Sequence, residues 1–122
     1  MSGDIPIEDL PYAYLTTTGR ITGSPHRIEI WFAREDDTIY LLAGDGERSD
    51  WVRNLMVSSA VVLEIGERKR TTTGRVIERG TDADVAARRA LLEKYQPTSS
   101  DDLATWGRTA LAVAIDWPDE PG

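Results

Sequence analysis

The clearest alternation of apolar and polar side chains lies in His26–Ala33, where Ile28, Ile30 and Phe32 fall on one face and Arg27, Glu29 and Trp31 on the other. A period of two is that of a half-buried β-strand, whose successive side chains leave opposite faces. Five more segments read as strands. Tyr12–Thr18 is aromatic and β-branched and stops at Gly19, and Thr38–Ala43 is apolar and ends at Gly44-Asp45-Gly46. Ala60–Ile65 is apolar enough for a buried strand, and Ala110–Trp117 is the last apolar run. Lys69–Ile77 is polar and rich in threonine, with Gly74 inside it at a candidate bulge.

Helical spacing replaces the period of two in two places. Trp51, Val52, Leu55 and Met56 recur on one side of a segment that Ser49 or Asp50 can cap and Ser58-Ser59 ends. A second helix is predicted from Asp82 through Val85, Ala86, Arg89, Leu91 and Leu92 to about Tyr95, where Pro97 prevents continuation. Asp101–Trp106 is a candidate third turn of helix, capped by Asp101. The links between strands are short and the helices are interspersed, which disfavours a parallel sheet with helical crossovers. The expected fold is mainly β: six antiparallel strands curled into a small barrel, with two or three helices covering its open ends or edges. Residues 1–122 are expected to form one domain, with an arm over 1–11 and a tail over 118–122.

Composition narrows the function more than the fold. The chain lacks cysteine, which excludes disulfides, thiolate metal sites and a cysteine nucleophile. No apolar run approaches the roughly 18 residues of a membrane span, and the start lacks the pattern of a signal peptide, so a cytoplasmic protein is expected. A formal net charge of −7 disfavours nucleic acid as a partner. Arginine nevertheless recurs at Arg20, Arg27, Arg48, Arg53, Arg68, Arg70 and Arg75, while lysine occurs only at Lys69 and Lys94. Guanidinium forks suit bidentate contact with phosphate or carboxylate. The single histidine, His26, leaves no cluster of metal ligands, and neither a nucleophile elbow nor a dinucleotide or phosphate-loop fingerprint is present. Acid–base, nucleophilic and metal chemistry are therefore weakly supported. What remains is chemistry carried by a bound cofactor, or none.

Two segments stand out for an anionic ligand: Thr16-Thr17-Thr18-Gly19-Arg20-Ile21-Thr22-Gly23-Ser24-Pro25 and Gly44-Asp45-Gly46-Glu47-Arg48-Ser49-Asp50-Trp51-Val52-Arg53-Asn54-Leu55. In each a strand ends at glycines beside an arginine, and the second enters a helix N-terminus. Exposed backbone N–H groups and the helix dipole favour an anion there. Ordinary hairpin turns with solvated arginines are the plainer account of the same spacing. Together the two segments resemble the deazaflavin-dependent nitroreductase family, of the split β-barrel flavin/deazaflavin oxidoreductase superfamily that includes the pyridoxine-phosphate-oxidase-like proteins. The resemblance is close from Tyr14 to Ile65 and looser to the last strand.

The resemblance implies a six-stranded antiparallel split β-barrel, a homodimer, and the deazaflavin coenzyme F420 as cofactor, with FMN as second choice. It implies hydride transfer from the reduced cofactor to a small electrophile: a quinone, activated alkene or nitro compound. It places Arg20 by the cofactor's phosphate and side chain, Thr22, Gly23, Ser24 and Pro25 in the same loop, and His26 at the start of the strand that passes the cofactor. Glu29, Ile30 and Trp31 fall where relatives line the ring system, Ala43, Gly44, Asp45 and Gly46 on the turn that packs against it, and Trp51 and Asn54 near its tail. Ile21 and Gly44-Asp45 stand where many relatives carry basic residues, so positive charge is reduced there. Trp31 is a candidate pocket wall or an interface residue, while Trp51 and Trp106 read as core. Tyr95 is a candidate proton donor, although core packing also accounts for it, as it does for Tyr12 and Tyr14. Two other readings suit the same barrel: a flavin- or haem-binding carrier or sensor without turnover, and an interaction module that has lost the cofactor.

Overall fold

The computed structural model describes residues 6–118; the first five residues of the expected arm and residues 119–122 of the expected tail lie outside them. Pro6–Pro11 holds a short 3-10 turn at Ile7–Asp9. The strands are β1 (Ala13–Thr18), β2 (Pro25–Ile30), β3 (Ala33–Glu35), β4 (Thr38–Ala43), β5 (Ala60–Ile65), β6 (Arg68–Val76) and β7 (Leu111–Asp116). The helices are α1 (Asp50–Val57), α2 (Asp82–Tyr95) and α3 (Ala104–Thr109). All strand pairs are antiparallel, and the spatial order is β2-β1-β5-β6-β7-β4-β3. This is the expected split β-barrel, with seven strands among the described residues where six were predicted. The extra strand comes from a break in the His26–Ala33 segment.

That break is one of two corners at which a segment changes partner. Up to Ile30 the segment pairs with β1, and from Ala33 it pairs with β4, so Trp31 and Phe32 carry the chain from one half of the barrel to the other. The other corner is in β6, which pairs with β5 through Thr73 and with β7 from Gly74. Space at that second corner favours glycine: a Cβ on Gly74 would lie 2.5 Å from Ile115 Cδ1 and 2.9 Å from Leu55 Cδ1, so two buried methyl groups would have to shift. The candidate bulge is thus a change of partner strand at a crowded point.

Alternation in the strands builds two apolar layers. Leu15, Ile39, Leu41, Leu63, Val113, Ile115 and Trp117 point into the barrel, with Leu55 of α1 closing one end. On the outer face of β4 and β7, Leu42, Ala112 and Ala114 pack under Ala87, Ala90 and Leu91 of α2. The small residues of β7 let the helix approach closely. α2 begins and ends as predicted: Thr81 Oγ1 accepts the Asp84 N–H at the start, and a 3-10 turn containing Pro97 follows Tyr95.

Two helix starts differ from expectation. Ser49 occupies the cap position of α1 but makes no capping side-chain hydrogen bond. α3 begins at Ala104 and not at Asp101, because Asp102 accepts the Ala104 N–H (2.9 Å) while the Gln96 side chain holds Leu103 N–H and Asp101 C=O. Among the described residues no helix is long and apolar enough to cross a membrane.

Candidate functional site

The loop after β1 is a compact turn. Gly19 N–H donates to Ser24 C=O at 2.8 Å, Gly23 N–H donates to Gly19 C=O at 2.8 Å, and Ser24 N–H donates to Thr22 Oγ1 at 3.2 Å. Gly23 has φ +78°, a conformation that L side chains rarely adopt. Gly19 is needed for space, since a Cβ there would sit 2.9 Å from the main-chain oxygen of Ser24.

Asn54 joins this loop to α1. It is only 2% exposed, and a buried amide is tolerated only when its polar atoms are satisfied. Its Oδ1 accepts from Arg20 N–H (3.1 Å) and Arg20 Nη1 (2.8 Å), and its Nδ2 donates to Thr17 Oγ1 (3.2 Å). Arg20 Nη2 reaches Asp50 Oδ1 at 3.3 Å. These contacts surround a cavity of about 240 Å³ lined by Gly19, Arg20, Ile21, Thr22, His26, Asp50 and Asn54.

A larger cleft, about 460 Å³, opens at the far end of β2 and is lined by Glu29, Ile30, Trp31, Leu42, Leu103 and Trp106. The Trp31 ring stacks on Tyr95 at 4.2 Å and 4°, and the Trp106 ring meets it edge-on at 5.7 Å and 87°. Offset stacking and edge-to-face contacts of this kind fix ring planes. Gly44 closes up to Trp106, where a Cβ would lie 3.7 Å from Trp106 Cδ1.

The last turn of α2 holds the Trp31-Phe32 corner in place. Phe32 N–H donates to the Tyr95 hydroxyl (3.0 Å), Phe32 C=O accepts from Lys94 Nζ (3.0 Å), and the Tyr95 O–H donates to Pro11 C=O at 2.8 Å, with Phe32 C=O also within 3.0 Å. Burial pushes the Tyr95 phenol up to about 12, against the opposing pull of the Phe32 N–H. Burial also lowers the Lys94 ammonium to about 8, against the raising effect of Asp9 and Glu8. The other wall is secured by Arg88, which donates to Gly107 C=O (3.0 Å) while paired with the buried Asp84 (3.0 Å).

The residues singled out from sequence fall into several groups. Arg20, Thr22, His26 and Asn54 share the smaller cavity, and Glu29, Ile30 and Trp31 share the cleft. Gly23 and Pro25 turn to the outer face of the barrel, where they line a third hollow with Thr16, Thr18 and Val62. Ser24 works through its main chain in the turn. Ala43 is buried at the end of β4 beside Gly44, and Asp45 and Gly46 lead into a 3-10 turn (Gly46–Arg48). Trp51 packs against the barrel core. The candidate proton of Tyr95 is committed to main-chain carbonyls, because its ring supports Trp31 and its hydroxyl supports the corner. Leu42, Leu103 and Asp50 were missed, and Trp106, read as core, is a wall of the cleft. The family resemblance had singled out both Arg20 and Asn54, which share the first cavity; nothing local marked Leu103.

Comparison with solved structures finds the same fold in proteins of distant sequence. An F420-H2 dependent reductase (FDR-A) aligns at 17% identity over 93% of this chain and 100% of that one, with a TM-score of 0.72. A pyridoxamine 5'-phosphate oxidase-like protein from Listeria innocua aligns at 13% identity over 89% and 85%, with a TM-score of 0.65. HutZ, the haem storage protein of Vibrio cholerae, aligns at 12% identity over 94% and 86%, with a TM-score of 0.73. At these identities the likeness is one of fold, and one fold hosts many functions. No curated protein matches the chain. A family model does, over residues 3–118, which is nearly the whole chain. The chain belongs to the F420H(2)-dependent quinone reductase family, whose members are oxidoreductases that use the reduced deazaflavin F420.

Proposed function

We propose that this chain reduces a small electrophile, a quinone first among the candidates, with F420H2 as the hydride source, and that the two cavities joined by β2 divide the work of holding that cofactor. The observation that carries the reading is the cleft. Its volume of about 460 Å³ lies in the range of small-molecule sites, its walls are flat and mostly apolar, and it offers one carboxylate, Glu29. Such a cleft fits a planar ring system. The cavity around Arg20 fits an anionic tail, since it combines a guanidinium, polar Thr22 and His26, and the N-terminus of α1. Only three residues of β2 lie between His26 and Ile30.

The cofactor, when bound, supplies a two-electron hydride donor, which accounts for the absence of an obvious nucleophile or acid in the sequence. The chain's own residues bind, orient and exclude water. Trp31, backed by Tyr95, and Trp106 hold a plane against which a ring packs. Asn54 fixes the Arg20 guanidinium before any ligand arrives, which lowers the ordering cost of binding. A homodimer belongs to the same reading: β1 and β5 turn Tyr14, Thr16 and Val62 outward, away from the half of the barrel that α2 covers.

A haem carrier is poorly served by this arrangement. The chain's one histidine lines the smaller cavity and not the cleft. Titration with F420 and with FMN, followed by turnover with menadione, tests the proposal. Micromolar binding of F420 with menadione-dependent oxidation of F420H2 is expected. Saturable haem binding with no affinity for F420 would refute it.

A further inference from the structure

We propose that Asp50 is a charge gate on the smaller cavity: its carboxylate takes the place on Arg20 that an anionic tail would occupy, and it thereby limits how negative a tail the chain accepts. The inference rests on the assignment of that cavity to the cofactor's tail. Among the described residues Arg20 is the only arginine or lysine lining the cavity, and Asp50 lines it too, so their formal charges cancel. The guanidinium is held from two sides in different ways. Asn54 is buried, and Thr17 and the Arg20 main chain fix it in turn, so its oxygen is held in place for Nη1. Asp50 has a side chain 84% exposed and meets Nη2 at 3.3 Å, which is the long end of a charge-assisted contact. A solvated carboxylate is released at little cost, because exposed ion pairs are weak.

Asp50 is also the first residue of α1, where a carboxylate is favoured by the helix dipole and where Ser49 provides no capping side chain. It therefore occupies both of the features that make the cavity attractive to an anion. A phosphate arriving there must displace the carboxylate from Arg20 and then remain near its charge. Ile21, beside Arg20 and 86% exposed, supplies no compensating cation. Removing the charge while keeping the shape should open the gate.

The test is Asp50→Asn against the unchanged chain, with three probes: F420, a phosphate-free deazaflavin bearing the same ring, and inorganic phosphate. F420 and ring binding are read by fluorescence, phosphate binding by NMR shifts of the Arg20 and His26 side chains. D50N should bind F420 about three- to tenfold more tightly at low salt, with the gain fading toward 1 M, where the screening length falls to about 3 Å. It should bind phosphate more tightly by a similar factor and the phosphate-free ring unchanged. Equal affinity of the two proteins for phosphate would overturn the gate, whatever happens with F420. If neither protein binds F420 while phosphate still binds D50N more tightly, the gate stands and the cofactor assignment fails. A gain for the phosphate-free ring as large as that for F420 would also overturn it, since the effect would then not act through the tail.

Discussion

Replacing Tyr95 by phenylalanine removes one oxygen from the point where α2 meets the Trp31-Phe32 corner. The ring remains, so its stacking on Trp31 at 4.2 Å is kept. Three main-chain groups are affected unequally. Phe32 C=O still has Lys94 Nζ at 3.0 Å, and Pro11 C=O is only partly buried and can take a water. Phe32 N–H is buried and loses its partner. An orphaned buried donor costs about 1–3 kcal/mol, and the lost bond to Pro11 adds about 0.5–1.5 kcal/mol. The expected loss is therefore about 1.5–4.5 kcal/mol, a large share of the roughly 5–15 kcal/mol typical of a domain. Urea unfolding by linear extrapolation should show the midpoint fall with the slope m unchanged. The wild type should also lose stability as pH rises from about 10 to about 12, because the phenol is neutral when buried and its folded value is raised to about 12; Y95F should lack that component. Turnover of the variant, measured where it is folded, should stay within a few-fold of wild type. A stability loss under about 1 kcal/mol would refute the account of the corner. A hundredfold fall in kcat with stability intact would restore Tyr95 as the proton donor.

Arg20→Ala should weaken F420 binding by about 1.5–3 kcal/mol, the range for a hydrogen bond to a charged group. Stability should change little, since Asn54 Oδ1 keeps the Arg20 main-chain N–H; isothermal titration beside urea unfolding separates the two. Gly74→Ala should destabilise by about 1–3 kcal/mol through overpacking against Ile115 and Leu55, seen as a lower Tm in calorimetry. Burial alone would raise the Asp84 carboxyl, but the hydrogen bonds from Arg88 and Gly80 N–H and the charges of Arg88 and Arg79 prevail and hold it below its ordinary value of 3.8. Its contribution is therefore complete above about pH 4 and is lost on acidification through the depressed value. Asp84→Asn should flatten the wild type's loss of urea stability on acidification below about pH 4.

Alternation in His26–Ala33 and apolar or β-branched runs elsewhere located six strand segments from local pattern, β3 being hidden inside the first, and helical spacing from Asp82 with Pro97 beyond Tyr95 marked both ends of α2. These signals are legible because they act within a few neighbouring residues: side chains alternate across a pleat, apolar residues recur along one face of a helix, and a proline has no N–H to donate. The paired loops around Arg20 and Asn54 were legible as a candidate anion site for the same reason. Tertiary structure decided the rest. The strand predicted over His26–Ala33 breaks at Trp31-Phe32 because the Phe32 N–H and C=O are taken by Tyr95 and Lys94, more than 60 residues along the chain. Alternation put Trp31 on a polar face and left open what it meets there. Only the packing of α2 and α3 shows that it meets Tyr95 and Trp106 and forms the wall of a cleft. Arginine by composition reads as positive charge, yet Asp50 cancels it at the one place where it lines the smaller cavity. A sequence records which charges are present; their balance within a cavity depends on distances of a few ångströms that only the folded chain sets.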